Sequence, residues 1–110
     1  MTEAENAIKQ AKIKRRNGKA ALTRHGKTLR YQVSGNRTAE EVRKALQKYE
    51  QAFSKLLSKH EEFTMLLEDD SEFEREEAWM EDCQEMYLRL KIDTEDYLRE
   101  IAIPKEKETG

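Results

Sequence analysis

The chain has 110 residues, 36% of them hydrophobic and 40% charged, with one proline, four glycines and a single cysteine. So much charge leaves too little apolar material for a thick globular core, and the scarcity of turn residues and of Val/Ile/Thr runs argues against a sheet. A lone Cys83 cannot close an internal disulfide, no apolar stretch approaches the roughly 20 residues of a membrane span, and the opening MTEAENAIKQ reads as too polar for a signal peptide. The expected setting is therefore cytoplasmic, with the nucleus as the alternative. The net charge of −2 hides a gradient, because residues 1–37 carry +8, residues 38–70 carry −3 and residues 71–110 carry −7.

The first predicted element is a helix over about residues 3–33, rich in cations. Between Lys12 and Arg30 there is no acid. A heptad-like trace nevertheless runs through Ala4, Ile8, Ala11, Arg15, Gly18, Leu22, His25, Leu29 and Gln32 or Val33, which lets a neighbouring helix approach closely but buries little. Arg15 and His25 on that trace must snorkel or find partners, and Gly18 and Gly26 each cost about 1 kcal/mol of helix propensity, so fraying or a bend is expected there. Lys12, Lys14, Arg16, Lys19, Arg24, Lys27 and Arg30 are the candidate polyanion-binding residues. Phosphate contacts need cations in numbers and no particular base-reading geometry, and neither an aromatic interleave nor a helix-turn-helix pattern is present. The favoured reading is that these cations pair with the acidic third element, within the chain or between subunits, and the second is a surface for nucleic acid or an anionic membrane.

The turn SGNR (Ser34 to Arg37) leads to a second helix over about 39–68. Thr38 and Glu41 form a capping box, and Val42, Leu46, Tyr49, Phe53, Leu56, His60, Phe63 and Leu67 follow in steps of four and three. After EDD comes a third helix over about 72–102. Ser71 and Glu74 offer a second capping box, Glu72, Glu74, Glu76 and Glu77 place negative charge at the positive end of the helix dipole, and Pro104 ends the element. Its seam runs through Phe73, Glu76, Met80, Cys83, Tyr87, Leu90, Thr94, Tyr97 and Ile101, widened by Trp79 and Met86.

Three helices of about thirty residues joined by short turns must run antiparallel, so the expected fold is all-α: an elongated three-helix bundle or antiparallel coiled coil. It should occupy residues 1–103 as one domain, with 104–110 as a disordered tail. Val42, Leu46, Tyr49, Phe53, Leu56, Phe63, Leu67, Phe73, Trp79, Met80, Tyr87, Leu90 and Tyr97 are the expected core or subunit-interface residues. Thin helical chains often complete their burial by self-association, which favours a homo-oligomer and a dimer first. Catalytic chemistry is not expected. His25, His60 and Cys83 match no zinc spacing, the acids after Leu67 lack the order of a calcium loop, and no nucleophile, base and oxyanion grouping can be assembled. No cofactor, metal or small-molecule substrate is expected.

The run Ile13-Lys14-Arg15-Arg16-Asn17-Gly18-Lys19, then Leu22-Thr23-Arg24, then a Thr-capped helix and an acidic, aromatic third helix, resembles the N-terminal region of Gag-like polyproteins of BEL/Pao-type LTR retrotransposons and related metazoan proteins. The resemblance spans about residues 10–100, and Arg15, Arg16, Gly18, Lys19, Leu22, Thr23 and Arg24 carry it. It implies a non-enzymatic part in particle self-assembly, upstream of capsid-like and nucleic-acid-binding portions. The chain departs from such proteins in having no C-x₂-C zinc-knuckle spacing and no protease signature, and in His25-Gly26, where a helix-forming pair would be expected.

Overall fold

A computed structural model describes residues 2–102 and shows three antiparallel helices: α1 (Glu3–Ser34), α2 (Ala39–Thr64) and α3 (Asp70–Ala102). Among the described residues there is no strand, and the helices pack as an elongated bundle. At 1.5 Å per residue the longest helix spans roughly 50 Å. The tail expected at 104–110, and the stop at Pro104, lie outside the described residues.

Each start is capped by a side chain. Thr2 Oγ1 accepts from the Glu5 amide (3.1 Å) and Thr38 Oγ1 from the Glu41 amide (3.2 Å), satisfying donors that the first turn leaves free. The Thr38 hydroxyl also donates to Glu41 Oε1 at 3.3 Å, so only half of the expected capping box forms. The α1–α2 turn is a Schellman motif: the Arg37 amide reaches Gln32 O (3.1 Å) and the Asn36 amide reaches Val33 O (3.2 Å). Asn36 supplies the left-handed residue this motif needs, at φ 54°. The hydroxyl of Tyr97 donates to Arg37 O at 2.8 Å and ties α3 to that turn.

The second connection differs from expectation. α2 stops at Thr64, four residues early: after a last α-type bond from the Met65 amide to Glu61 O, the next amides fold back on shortened turns, Leu66 to Phe63 O and Leu67 to Thr64 O. Leu67 therefore leaves the seam and sits half-buried in the connection. α3 begins two residues early because Asp69, not Ser71, caps it, its carboxylate accepting from the Ser71 amide at 3.0 Å. Asp and Ser cap about equally well, and the carboxylate adds a favourable interaction with the helix dipole. Phe73, expected in the core, is 42% exposed on the first turn of α3, since the early end of α2 leaves nothing opposite it to bury against.

Otherwise the expected seams make the interior. Val42, Leu46, Tyr49, Leu56 and Phe63 of α2 and Met80, Cys83, Tyr87 and Leu90 of α3 are buried together with Leu22 and Leu29 of α1. Phe53, Trp79 and Tyr97 are partly buried against them, and the Phe53 and Tyr87 rings stack at 4.0 Å. Ile101 lies 42% exposed at the last turn. α1 continues unbroken through both glycines. Close packing explains why: a Cβ at Gly26 would stand 3.0 Å from Tyr49 Cε1, so the residue that weakens the helix alone lets it seat against α2.

Candidate polyanion surface

Arg15 faces inward. It is 5% exposed, and its guanidinium carbon lies 4.0 Å from the Trp79 ring centre and 4.4 Å from that of Phe63. Nη2 pairs with Glu76 at 2.7 Å and Nη1 meets His60 Nδ1 at 3.3 Å. A guanidinium only donates, so Nδ1 must be the accepting nitrogen of a neutral imidazole, which leaves the proton on Nε2. Nε2 then donates to Glu77 Oε1 at 2.8 Å. One α1 cation, one α2 imidazole and two α3 carboxylates thus form a satisfied chain roofed by two aromatic rings. Glu76 and Glu77, expected to serve the helix dipole, are partners in this node.

The remaining cations of α1 behave differently. Among the described residues, none of Lys12, Lys14, Arg16, Lys19, Arg24, Lys27 and Arg30 makes an ion pair; the ion pairs of the bundle are Arg15–Glu76, Lys91–Glu50, Arg37–Glu41 at the α1–α2 turn and three within single helices. Pairing with the acidic third helix therefore holds at Arg15 and at none of these seven. The reason is geometric. The trace that buries Arg15 turns Lys12, Arg16, Lys19, Lys27 and Arg30 toward the rim of the α1–α3 contact, while many α3 acids, such as Glu81 and Glu85, lie on its exposed side.

Two grooves flank α1. Between α1 and α3, a groove of about 520 Å³ is lined by Lys9, Lys12, Arg16 and Lys19, with Ile13, Arg15 and Trp79. Lys19, Lys27 and Arg30 continue the cationic edge into a smaller hollow above Cys83 and Tyr87. An aromatic ring among these cations was not visible in the sequence, because Trp79 comes from another helix. Between α1 and α2 lies a second groove of about 480 Å³, where Lys14 and His25 meet Lys48, Lys55 and Lys59. Among the described residues neither groove is lined by a carboxylate. Arg24 stands exposed.

The three residues with transition-metal character do not converge. His60 is committed to Arg15 and Glu77, Cys83 sits in the apolar core, and His25 lines the α1–α2 groove. Burial pushes the Cys83 thiol up, against the pull of Lys19 and Arg15, which keeps it protonated and unreactive. Burial also raises Tyr49 and Tyr87, and the Glu50 carboxylate, hydrogen-bonded to Lys91, raises that ammonium. Among the described residues no helix is long and apolar enough to cross a membrane.

No protein-family model matches the chain, and no curated protein or solved structure is significantly similar to it.

Proposed function

We propose that the bundle is a non-enzymatic binding module that presents α1 to a polyanion, and that the polyanion is nucleic acid held through its phosphates. The observation that carries this reading is the set of seven α1 cations with no ion-pair partner among the described residues, flanked by two carboxylate-free grooves. Clustered like charges destabilise a fold unless a counter-charge arrives, and each phosphate engaged releases a condensed counterion. An anionic membrane is the weaker candidate. A surface-bound helix has to insert an apolar face, and that of α1 (Leu22, Gly26 and Leu29) is buried inside the bundle.

Fluorescence anisotropy with a labelled single-stranded RNA tests this. Binding is expected at low salt, with log K falling linearly against log salt and with little preference among base sequences. Lys12→Glu, Lys14→Glu and Arg16→Glu together, which reverse charge on both flanks of α1, should abolish it. No binding at about 50 mM salt overturns the proposal.

A second reading, self-assembly of the kind that the Gag-like resemblance implies, draws on a separate observation. Met65 is 84% exposed, and Leu66 (38%), next to it, and Phe73 (42%), on the first turn of α3, stand at the same α2–α3 end of the bundle. Three large apolar side chains at one tip suit an end-on contact with a second copy. The aromatic seams, by contrast, are largely used within the chain and leave little for a dimer through them. Sedimentation equilibrium should show a mass rising with concentration, which Met65→Ser and Phe73→Ser together remove; a strict monomer at high micromolar concentration overturns self-assembly.

A further inference from the structure

The α2 side of the α1–α2 groove brings in cations that the character of α1 alone does not suggest. Lys48, Lys55 and Lys59 line it from one bank, and Lys14 and His25 from the other. None of the four lysines makes an ion pair among the described residues, although other α2 cations do: Lys44 pairs with Glu40 at 3.5 Å. The floor is made of Gly18, Ala21 and Ala52. Their small side chains keep the groove open, and at Gly18 the helices are so close that an added Cβ would touch Leu56 at 3.5 Å.

We infer that this groove seats the backbone of one nucleic-acid strand, with Lys48, Lys55 and Lys59 as phosphate contacts. This rests on the polyanion reading above and adds where the strand lies and which α2 residues hold it. The spacing selects the ligand. Along α2 the three lysines stand roughly 10 Å and 6 Å apart at 1.5 Å per residue. Phosphates condensed through a single oxygen sit much closer together than that, whereas phosphodiesters separated by a whole sugar match it. Width makes a second selection, since a cleft between two packed helices, with axes some 8–10 Å apart, takes one strand and excludes a duplex. No Phe, Tyr or Trp ring lines this groove, so it reads mainly charge and spacing rather than bases.

The test compares two charge-matched variants of the full chain against a labelled single-stranded RNA. Lys48→Gln, Lys55→Gln and Lys59→Gln remove the proposed contacts; Arg43→Gln, Lys44→Gln and Arg89→Gln remove three exposed cations elsewhere. Three phosphate contacts at about 0.7 counterions each predict a salt slope lower by about 2 and an affinity lower by roughly 100-fold at 0.1 M salt for the first variant only. Circular dichroism should show both variants folded. Ala21→Leu, which fills the floor without changing charge, should weaken binding several-fold. Equal losses in the two triple variants, unchanged affinity in Ala21→Leu, or duplex RNA binding as tightly as the single strand would each overturn the groove seat while leaving the polyanion reading in place. Wild-type protein that binds no RNA at low salt removes both.

Discussion

The two halves of the bundle are held by different physics. In the half containing the start of α3, the interior is polar: Arg15, His60, Glu76 and Glu77 bond in a chain beneath Phe63 and Trp79. In the other half it is hydrocarbon and phenol: Leu29, Val42, Tyr49, Tyr87 and Leu90, with Thr94 fully buried and its hydroxyl returned to its own helix at Leu90 O, 2.7 Å away. Apolar contacts tolerate small slips because any hydrocarbon neighbour will serve. A buried guanidinium does not, since it needs a carboxylate, an acceptor nitrogen and two ring faces in fixed places. Sliding α2 by one heptad would set Phe53 or Leu67 where His60 now stands and strand the charge. The ionic half thus selects the alignment of three helices whose apolar half would accept several.

Breaking that node gives the largest expected effect. Arg15→Met keeps most of the side-chain volume but leaves His60 Nδ1 and Glu76 without their donor, at a cost of about 3 kcal/mol. Urea unfolding measures this directly. If the node serves alignment more than stability, adding His60→Leu and Glu76→Met to Arg15→Met should recover most of the loss, because the buried polar groups of the node are then gone and Glu77, 46% exposed, can turn to water. The same triple variant should show broadened or doubled amide resonances. Sharp, single resonances would show that the apolar seams alone set the register.

The apolar half should instead be the alkaline weak point. The folded values of Tyr49 and Tyr87 are raised above 10.0 and that of Cys83 above 9.0, chiefly by burial. A raised value in an acid means that the fold favours the neutral form. The stabilisation is therefore fully present below the unfolded value, and is lost as pH rises through the folded value while the unfolded chain sheds its protons first. Lys91, raised above 10.5 by its hydrogen bond to Glu50, contributes in the same direction. The urea midpoint should fall progressively above about pH 9, starting with the thiol. Tyr49→Phe with Tyr87→Phe should flatten most of this decline, and an unchanged decline would place the alkaline sensitivity elsewhere.

How legible this was in the sequence differed between the halves in the same way. The apolar positions Val42, Leu46, Tyr49, Leu56, Met80, Tyr87 and Leu90 could be read from spacing because hydrophobic burial depends only on which face a residue occupies. Phe73 and Leu67 continued the same rhythm and were misplaced. A period cannot say where a helix stops, and the stop was decided by Thr64 and Asp69 through local hydrogen bonds. Arg15, His60 and Glu76 all fell on seam positions, which marked each as an anomaly. What joined them was the relative stagger of three helices, a tertiary quantity absent from any single seam. The lysines of the α1–α2 groove did leave a trace: Lys48, Lys55 and Lys59 each precede a seam residue, Tyr49, Leu56 and His60, so a cationic stripe borders the buried one. In the sequence this stripe is masked by the denser run of cations in α1.

The smallest effect compares the halves at a single type of residue. Gly18 borders the ionic half and Gly26 lies in the apolar half, and both are mid-helix, where alanine would improve intrinsic helix stability by about 1 kcal/mol. At Gly18 a new Cβ would meet Leu56 at 3.5 Å, an ordinary contact, so Gly18→Ala should stabilise the bundle by most of that amount. At Gly26 it would meet Tyr49 Cε1 at 3.0 Å. That ring cannot retreat, being 5% exposed and packed 5.1 Å from Tyr87. Overpacking of this kind costs about 1–3 kcal/mol, which outweighs the propensity gain and makes Gly26→Ala a net loss of about 1 kcal/mol. Opposite signs from the same substitution, read as urea midpoints, are the expected result. Stabilisation at both sites would mean that the tyrosine pair can shift to make room, and that the apolar half is packed less tightly than its distances indicate.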